Sequence, residues 1–186
     1  TELRTTARAE LAARLKKAEA ELPALAGWLA AERVFALSRT AADPAPLAAE
    51  CWQHLGDAPK AGPAADAEAA AADHLAAVLS DRFLAAALHF AARPKADPVL
   101  VAKTLKYLEA GRAAEPAEPA WPSATFALLV ALDRPKELEQ ALHAWVAAGD
   151  PDGRWRTALG YVLAEQGRWA DAIPLFEAVD AANGLG

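Results

Sequence analysis

Apolar residues recur at helical spacing along almost the whole chain. From Glu2 to Leu22 the stripe Leu3, Ala7, Leu11, Leu15, Ala18 and Leu22 predicts one long helix with charges on its other faces. It reads either as a helix packed on the next pair or as a dimerisation helix. Pro23 separates it from a second apolar face, Leu25, Trp28, Leu29 and Phe35. Residues 39 to 42 read as a turn. Near the C-terminus, Leu159, Val162 and Leu163, then Trp169, Ala172, Ile173 and Phe176, predict two amphipathic helices joined by Gln166-Gly167-Arg168. Gly160 and Ala172 are small where the two must approach closely.

Helix starts are marked as clearly as helix faces. Asp43-Pro44, Asp97-Pro98 and Asp150-Pro151 each place a capping carboxylate before a proline suited to the first helical turn. They are evenly spaced at about 53 residues, which predicts repeating units over 44–97, 98–150 and 151–186, the last cut short. Asp81-Arg82 and Asp133-Arg134 would be equivalent turns, with His89 and His143 at equivalent packing positions. Two Pro/Ala segments, Ala58 to Ala65 and Arg112 to Ala120, interrupt the helices. The second is expected to return the chain in extended form in place of a helix; the alternative is a polyproline-type ligand for an aromatic groove.

The stretch Trp155 to Phe176 resembles a tetratricopeptide repeat, whose pattern is W-x2-L-G-x2-Y, then A-x3-F, then P. Leu159-Gly160 and Ala172-x3-Phe176 stand at the family separation. Arg156 occupies the tryptophan slot, Leu163 the tyrosine slot, and the closing proline is missing. Arg82 to Phe90, followed by Pro98, echoes Arg168 to Phe176. The resemblance implies an all-α solenoid of antiparallel hairpins, about ten helices in all, with residues 1–22 packing on or leading into a helical-repeat domain over 23–186. It also implies a concave face carrying Arg154, Thr157, Tyr161 and Glu165 on the last hairpin, and Ser123, Ala127 and Val130 on the one before. A subgroup of the family clamps C-terminal carboxylates with Lys and Asn there. Thr157 and Tyr161 stand in those places, so that activity is not carried over.

Composition narrows the picture. Alanine-rich segments and a single isoleucine disfavour strands. A net charge of −6 argues against non-specific nucleic-acid binding. The one cysteine, Cys51, cannot form an internal disulfide and reads as a buried hydrophobe. There is no run long and apolar enough for a membrane span and no secretory leader, so the compartment stays open with the cytoplasm slightly favoured. A chain that starts at Thr1 and has no methionine reads as a fragment, and the alanine and arginine bias suggests a bacterial source.

No catalytic signature is visible. Ser38, Ser80 and Ser123 have no His/Asp pattern near them, phosphate-binding glycine loops are missing, and no zinc spacing occurs. Glu139 and His143 share a helical face but make at most two metal ligands. Of the six tryptophans most should plug helix interfaces, with Trp121 and Trp155 the exposed pair. The expectation is a non-catalytic interaction or scaffold module that binds a protein or peptide on Arg154, Thr157, Tyr161, Glu165 and Ser123, with no cofactor. The alternatives are an accessory domain of a larger enzyme and a homo-oligomeric assembly module.

Overall fold

A computed structural model describes residues 2–56 and 80–182. Among these residues all regular structure is helical: nine α-helices, one 3-10 turn and no strand. None of the described helices is long and apolar enough to cross a membrane. The chain divides into two compact units, residues 1–125 and 126–186.

In the first unit, α1 (Glu2–Glu21) leads through a 3-10 turn, Pro23–Leu25, into α2 (Ala26–Leu37). The two helices pack on each other. The seam on α1 differs from the leucine stripe. Ala12 is buried, while Leu11 and Leu22 are about half exposed. Arg8, Ala12, Leu15 and Glu19, spaced by four, three and four, share the inward face. Alanine at the closest approach lets the backbones near each other, which displaces the bulkier leucine to the flank. Leu29, Ala30, Ala31 and Val34 of α2 are buried.

α3 (Ala45–Leu55) begins where Asp43 accepts a hydrogen bond from the Ala45 amide at 3.0 Å. Residues 80–91 form α4, and Pro98–Ala114 form α5. Asp97 repeats the capping geometry, accepting from the Val99 amide at 3.0 Å. Ala31, Val34, Cys51, Phe83, Phe90 and Tyr107 from α2, α3, α4 and α5 form one buried cluster. Each large side chain sealed there stabilises the unit by roughly 1.5–3 kcal/mol. Asp81-Arg82 is helical, not a turn; it lies within α4, and Arg82 reaches Glu32 of α2 at 2.9 Å. The Ala58 to Ala65 segment lies outside the described residues.

The second Pro/Ala segment is a short turn. α5 continues to Ala114, and α6 (Ala120–Ala131) already starts at Ala120. Pro122 sits in the first turn of α6, where a missing amide costs no internal hydrogen bond. Only residues 115–119 are non-helical, too few to replace a helix.

The second unit contains the later part of α6, then α7 (Pro135–Ala148), α8 (Arg154–Glu165) and α9 (Trp169–Ala182). Its core is Leu128, Leu129, Leu138, Leu142, Trp145, Leu159, Leu163 and Ala172. The α6–α7 and α8–α9 connections are the same turn. In the first, the Asp133 amide donates to Val130 O and the Arg134 amide to Leu129 O, both at 3.1 Å. In the second, Gly167 donates to Ala164 O and Arg168 to Leu163 O, both at 2.9 Å. This closes each helix with a left-handed residue, Asp133 at φ 52° and Gly167 at φ 75°. Gly160 lies under the Phe176 ring so closely that a Cβ would stand 2.7 Å from it.

Asp150 departs from the other two Asp-Pro sites. Its buried carboxylate accepts from the amides of Trp155 at 3.2 Å and Arg156 at 2.8 Å, and α8 starts only at Arg154. The equivalent local task, capping two residues on, passes to Asp152, which accepts from the Arg154 amide at 3.1 Å.

Candidate functional site

Four of the residues expected to bind a partner lie on α8. Arg154, Thr157, Tyr161 and Glu165 follow one another at helical spacing. Tyr161 is 63% exposed, with its ring edge-on to Phe176 at 5.3 Å between centroids. Arg154 is exposed, pairs with Asp152 at 3.2 Å and lies 5.2 Å from the Trp155 ring centroid. Glu165 is exposed, while Thr157 is half-buried and spends its hydroxyl proton on Gly153 O at 2.8 Å. Ser123 belongs to the first unit and donates to Pro119 O at 2.6 Å. Val130 and Ala127, the other positions expected on α6, are exposed.

Two exposed residues of α9 stand out beside those of α8. Trp169 is 60% and Ile173 50% exposed, on one side of α9. The apolar periodicity puts both on the packing face, yet only Ala172 of that set is fully buried. The tryptophans expected to be exposed are instead partly buried. Trp121 lies over Gly111 and edge-on to Tyr107, with its Nε1 donating to Glu115 at 3.0 Å. Trp155 sits between Trp145 and Phe126, at 4.8 and 6.1 Å between ring centroids. Each indole reaches a neighbouring helix, where a glycine or another aromatic receives it. The exposed tryptophans are Trp28 and Trp169.

A cleft of about 460 Å³ opens in the first unit. Its walls are the start of α3, the end of α4 with the following turn, and the first turns of α5. Ala45, Ala48, Ala49, Trp52 and Leu100 make most of the apolar surface. Arg93 anchors one wall: it donates to Ser38 O and Ala41 O, each at 2.7 Å, and lies 5.4 Å from the Phe90 ring centroid. A cation on the last carbonyls of a helix suits the helix dipole. Lys103 stands 4.8 Å over the Trp52 ring. Trp52 Nε1 is closed to solvent with no acceptor among the described residues, so the ring offers the cleft carbon atoms only.

The fold also joins Ser38 and His89, which sequence spacing could not pair. Ser38 Oγ lies 2.8 Å from His89 Nδ1, and Arg39 meets His89 Nε2 through Nε at 3.3 Å and Nη2 at 3.0 Å. An arginine can only donate, so Nε2 is the acceptor and Nδ1 carries the proton. His89 then donates to Ser38 Oγ, which donates to Phe35 O at 2.8 Å. Burial and then the charges of Arg39, Arg8 and Arg93 hold the imidazole below its usual pKa. Nucleophilic catalysis needs the opposite polarity, with the ring accepting the serine proton and a carboxylate on its far side. Ser38 is moreover fully buried. The network therefore closes the end of α2.

His143 does not share that setting. It is exposed and lies 3.8 Å from Glu139, whose shorter contacts are Arg168 at 2.6 Å and Gln166 at 3.0 Å. Those hydrogen bonds, from Gln166 first and then Arg168, hold the Glu139 carboxyl below its usual pKa. Among the described residues no group of three or more His, Cys, Asp or Glu side chains is placed to hold a metal ion. Comparison of the chain with protein-family models, with curated proteins and with solved structures gives no significant match.

Proposed function

We propose that the chain is a non-catalytic helical-repeat module of the tetratricopeptide kind, a solenoid of hairpins that binds a peptide or helix of a partner protein. The observation that supports this reading is a recurrence of element bounds. The helix limits 120, 131, 135 and 148 return at 154, 165, 169 and 182, an offset of 34 residues each time. That is the repeat length of the family. The offset also superposes Trp121 on Trp155, Leu129 on Leu163, Arg134 on Arg168 and Leu138 on Ala172. It favours the family's repeat length over the period of about 53 residues marked by the Asp-Pro sites. In such a module the first helix of each hairpin supplies the ligand face, which assigns Arg154, Thr157, Tyr161 and Glu165 to the partner. Tyr161 is the expected anchor, because an exposed aromatic ring adds much contact area for little loss of freedom.

Selection of random peptides on the whole chain tests the proposal. Peptides that emerge should bind Tyr161→Ala at least tenfold more weakly, the scale expected of an aromatic anchor. Failure to enrich any peptide, or equal affinity for Tyr161→Ala and Arg154→Ala, removes the α8 face as the binding surface. A second reading, self-association, is favoured by the exposure of Leu22, Leu25 and Trp28 around the α1–α2 junction. Sedimentation of the chain and of Trp28→Ser distinguishes it: a dimer that the substitution dissolves supports it, and a monomer at all concentrations ends it.

A further inference from the structure

The α8–α9 hairpin exposes an apolar stripe that continues beyond α8. Trp169, Ile173 and Phe176 fall within an arc of about 60° on α9, and Asp180 extends the same line. Trp169 and Ile173 are exposed and Phe176 is half-buried. Phe176 meets the Tyr161 ring edge-on, which joins the stripe to α8. From Trp169 to Asp180 the stripe runs about 16 Å, three turns of helix. Over such a length an amphipathic helix can lay apolar anchors spaced three and four residues apart.

The charges along the stripe are acidic. α9 carries Asp171, Glu177 and Asp180 and no Lys, Arg or His. Asp180 closes the stripe, Glu177 flanks it one turn after Ile173, and Glu165 stands one turn after Tyr161; all three are exposed. The arginines of the hairpin do not answer them. Arg168 is engaged by Glu139 and Asp171, Arg154 is held by Asp152, and Arg156 lies on the side of α8 away from Tyr161. Pro174 adds an acceptor of its own. It has no amide, so Ala170 O lacks the donor that the fourth residue on supplies in a helix. Ala170 and Glu177, seven residues apart, share one exposed flank. An occupant must therefore bring an apolar face for the stripe and N–H donors and positive charge for its borders.

We propose that this stripe docks a basic amphipathic helix of a partner protein. The helix sets its aliphatic side chains on Trp169, Ile173, Phe176 and Tyr161 and its Lys or Arg side chains at Glu165, Glu177 and Asp180. The inference rests on the reading of the chain as a module that binds a partner's peptide or helix, and it adds the chemistry of that partner.

Fluorescence anisotropy tests the proposal on the whole chain with a labelled peptide of Leu and Lys in helical register. The controls are the same composition in scrambled order and a counterpart with Glu for Lys. Saturable one-to-one binding of the basic amphipathic peptide is expected, with both controls about tenfold or more weaker. Trp169→Ala and Ile173→Ser should each weaken it about tenfold, with the melting temperature nearly unchanged because both side chains are exposed. The charge-reversed chain, Glu177→Lys with Asp180→Lys, should lose the basic peptide and take up the acidic one. No saturable binding, equal binding of the scrambled peptide, or undiminished binding by Ile173→Ser and the charge-reversed chain would each overturn the assignment. Random-peptide selection separates this inference from the reading it rests on. Tyr161-dependent binders that lack a basic amphipathic pattern overturn the inference and leave the α8 face in place. Binding of the basic peptide that Trp169→Ala removes and Tyr161→Ala does not supports the α9 stripe and removes the α8 face.

Discussion

Arg33 of α2 donates through Nε to Oε1 of Glu19 on α1 at 2.5 Å, and through Nη2 to Glu50 of α3 at the same distance. One buried guanidinium thus joins three helices. Burial pushes the Glu19 carboxyl up, but the hydrogen bonds and charges of Arg33 and Lys16 together outweigh that and hold it below its usual value. Removing the cation leaves two carboxylates facing each other in partly dry surroundings. Arg33→Ala should lower the unfolding free energy by about 2–4 kcal/mol, somewhat less than for a fully sealed pair because Glu50 keeps some water. The double variant Arg33→Met, Glu19→Leu should recover much of the loss. Urea denaturation measures both; a change in Arg33→Ala within the range of an ordinary surface substitution would show that the bridge adds nothing.

His89 should make stability depend on pH near neutrality. Protonation puts a hydrogen on Nε2, against the donors of Arg39, and Arg8 and Arg93 add repulsion. The folded pKa is below the unfolded one, so the contribution is complete above the unfolded value, about 6.5, and is lost as pH falls through the folded value. Thermal melting from pH 8 to 5 should show this decline, and His89→Gln should flatten it. A ring titration by NMR above the usual histidine value would contradict the assignment.

Gly160 touches Phe176 without room for a methyl group. Gly160→Ala should destabilise the α8–α9 hairpin by about 1–3 kcal/mol, the usual scale of overpacking, despite alanine's better helix propensity. Adding Phe176→Leu should make the pair less than additive. Should Gly160→Ala stabilise the chain, the close approach is not present in solution.

Cys51 is fully buried, and burial, then the charge of Glu50, pushes its thiol up to about 12. Native protein should react with a thiol reagent only as fast as it opens, and denatured protein at once. Rapid labelling of the native chain would mean that the α3 seam is open.

How much of this was legible varies with distance along the chain. The Asp43 and Asp97 caps and the Gln166-Gly167-Arg168 turn depend on residues close together, so local chemistry fixes them. The seam of α1 was misplaced because in an alanine-rich chain the smallest residue, Ala12, goes inside where helices come closest, while Leu11 is left at the flank. Trp121 and Trp155 stand at helix starts beside loops, and only the distant Gly111 and Trp145 draw them inward. The pairing of Ser38 with His89 joins residues on different helices, and nothing in the spacing announces it.

Helicity, the Asp43 and Asp97 caps and the Gln166-Gly167-Arg168 turn were therefore determined by the sequence alone, because each is settled within a turn or two of backbone; the start of α8 at Arg154 and the helical Asp81-Arg82 were not. Which face of each helix turns inward, which tryptophans remain outside, and where cations gather round a cleft were decided only by tertiary structure. These outcomes depend on which distant helix arrives, and alanine leaves that choice open by fitting almost any partner.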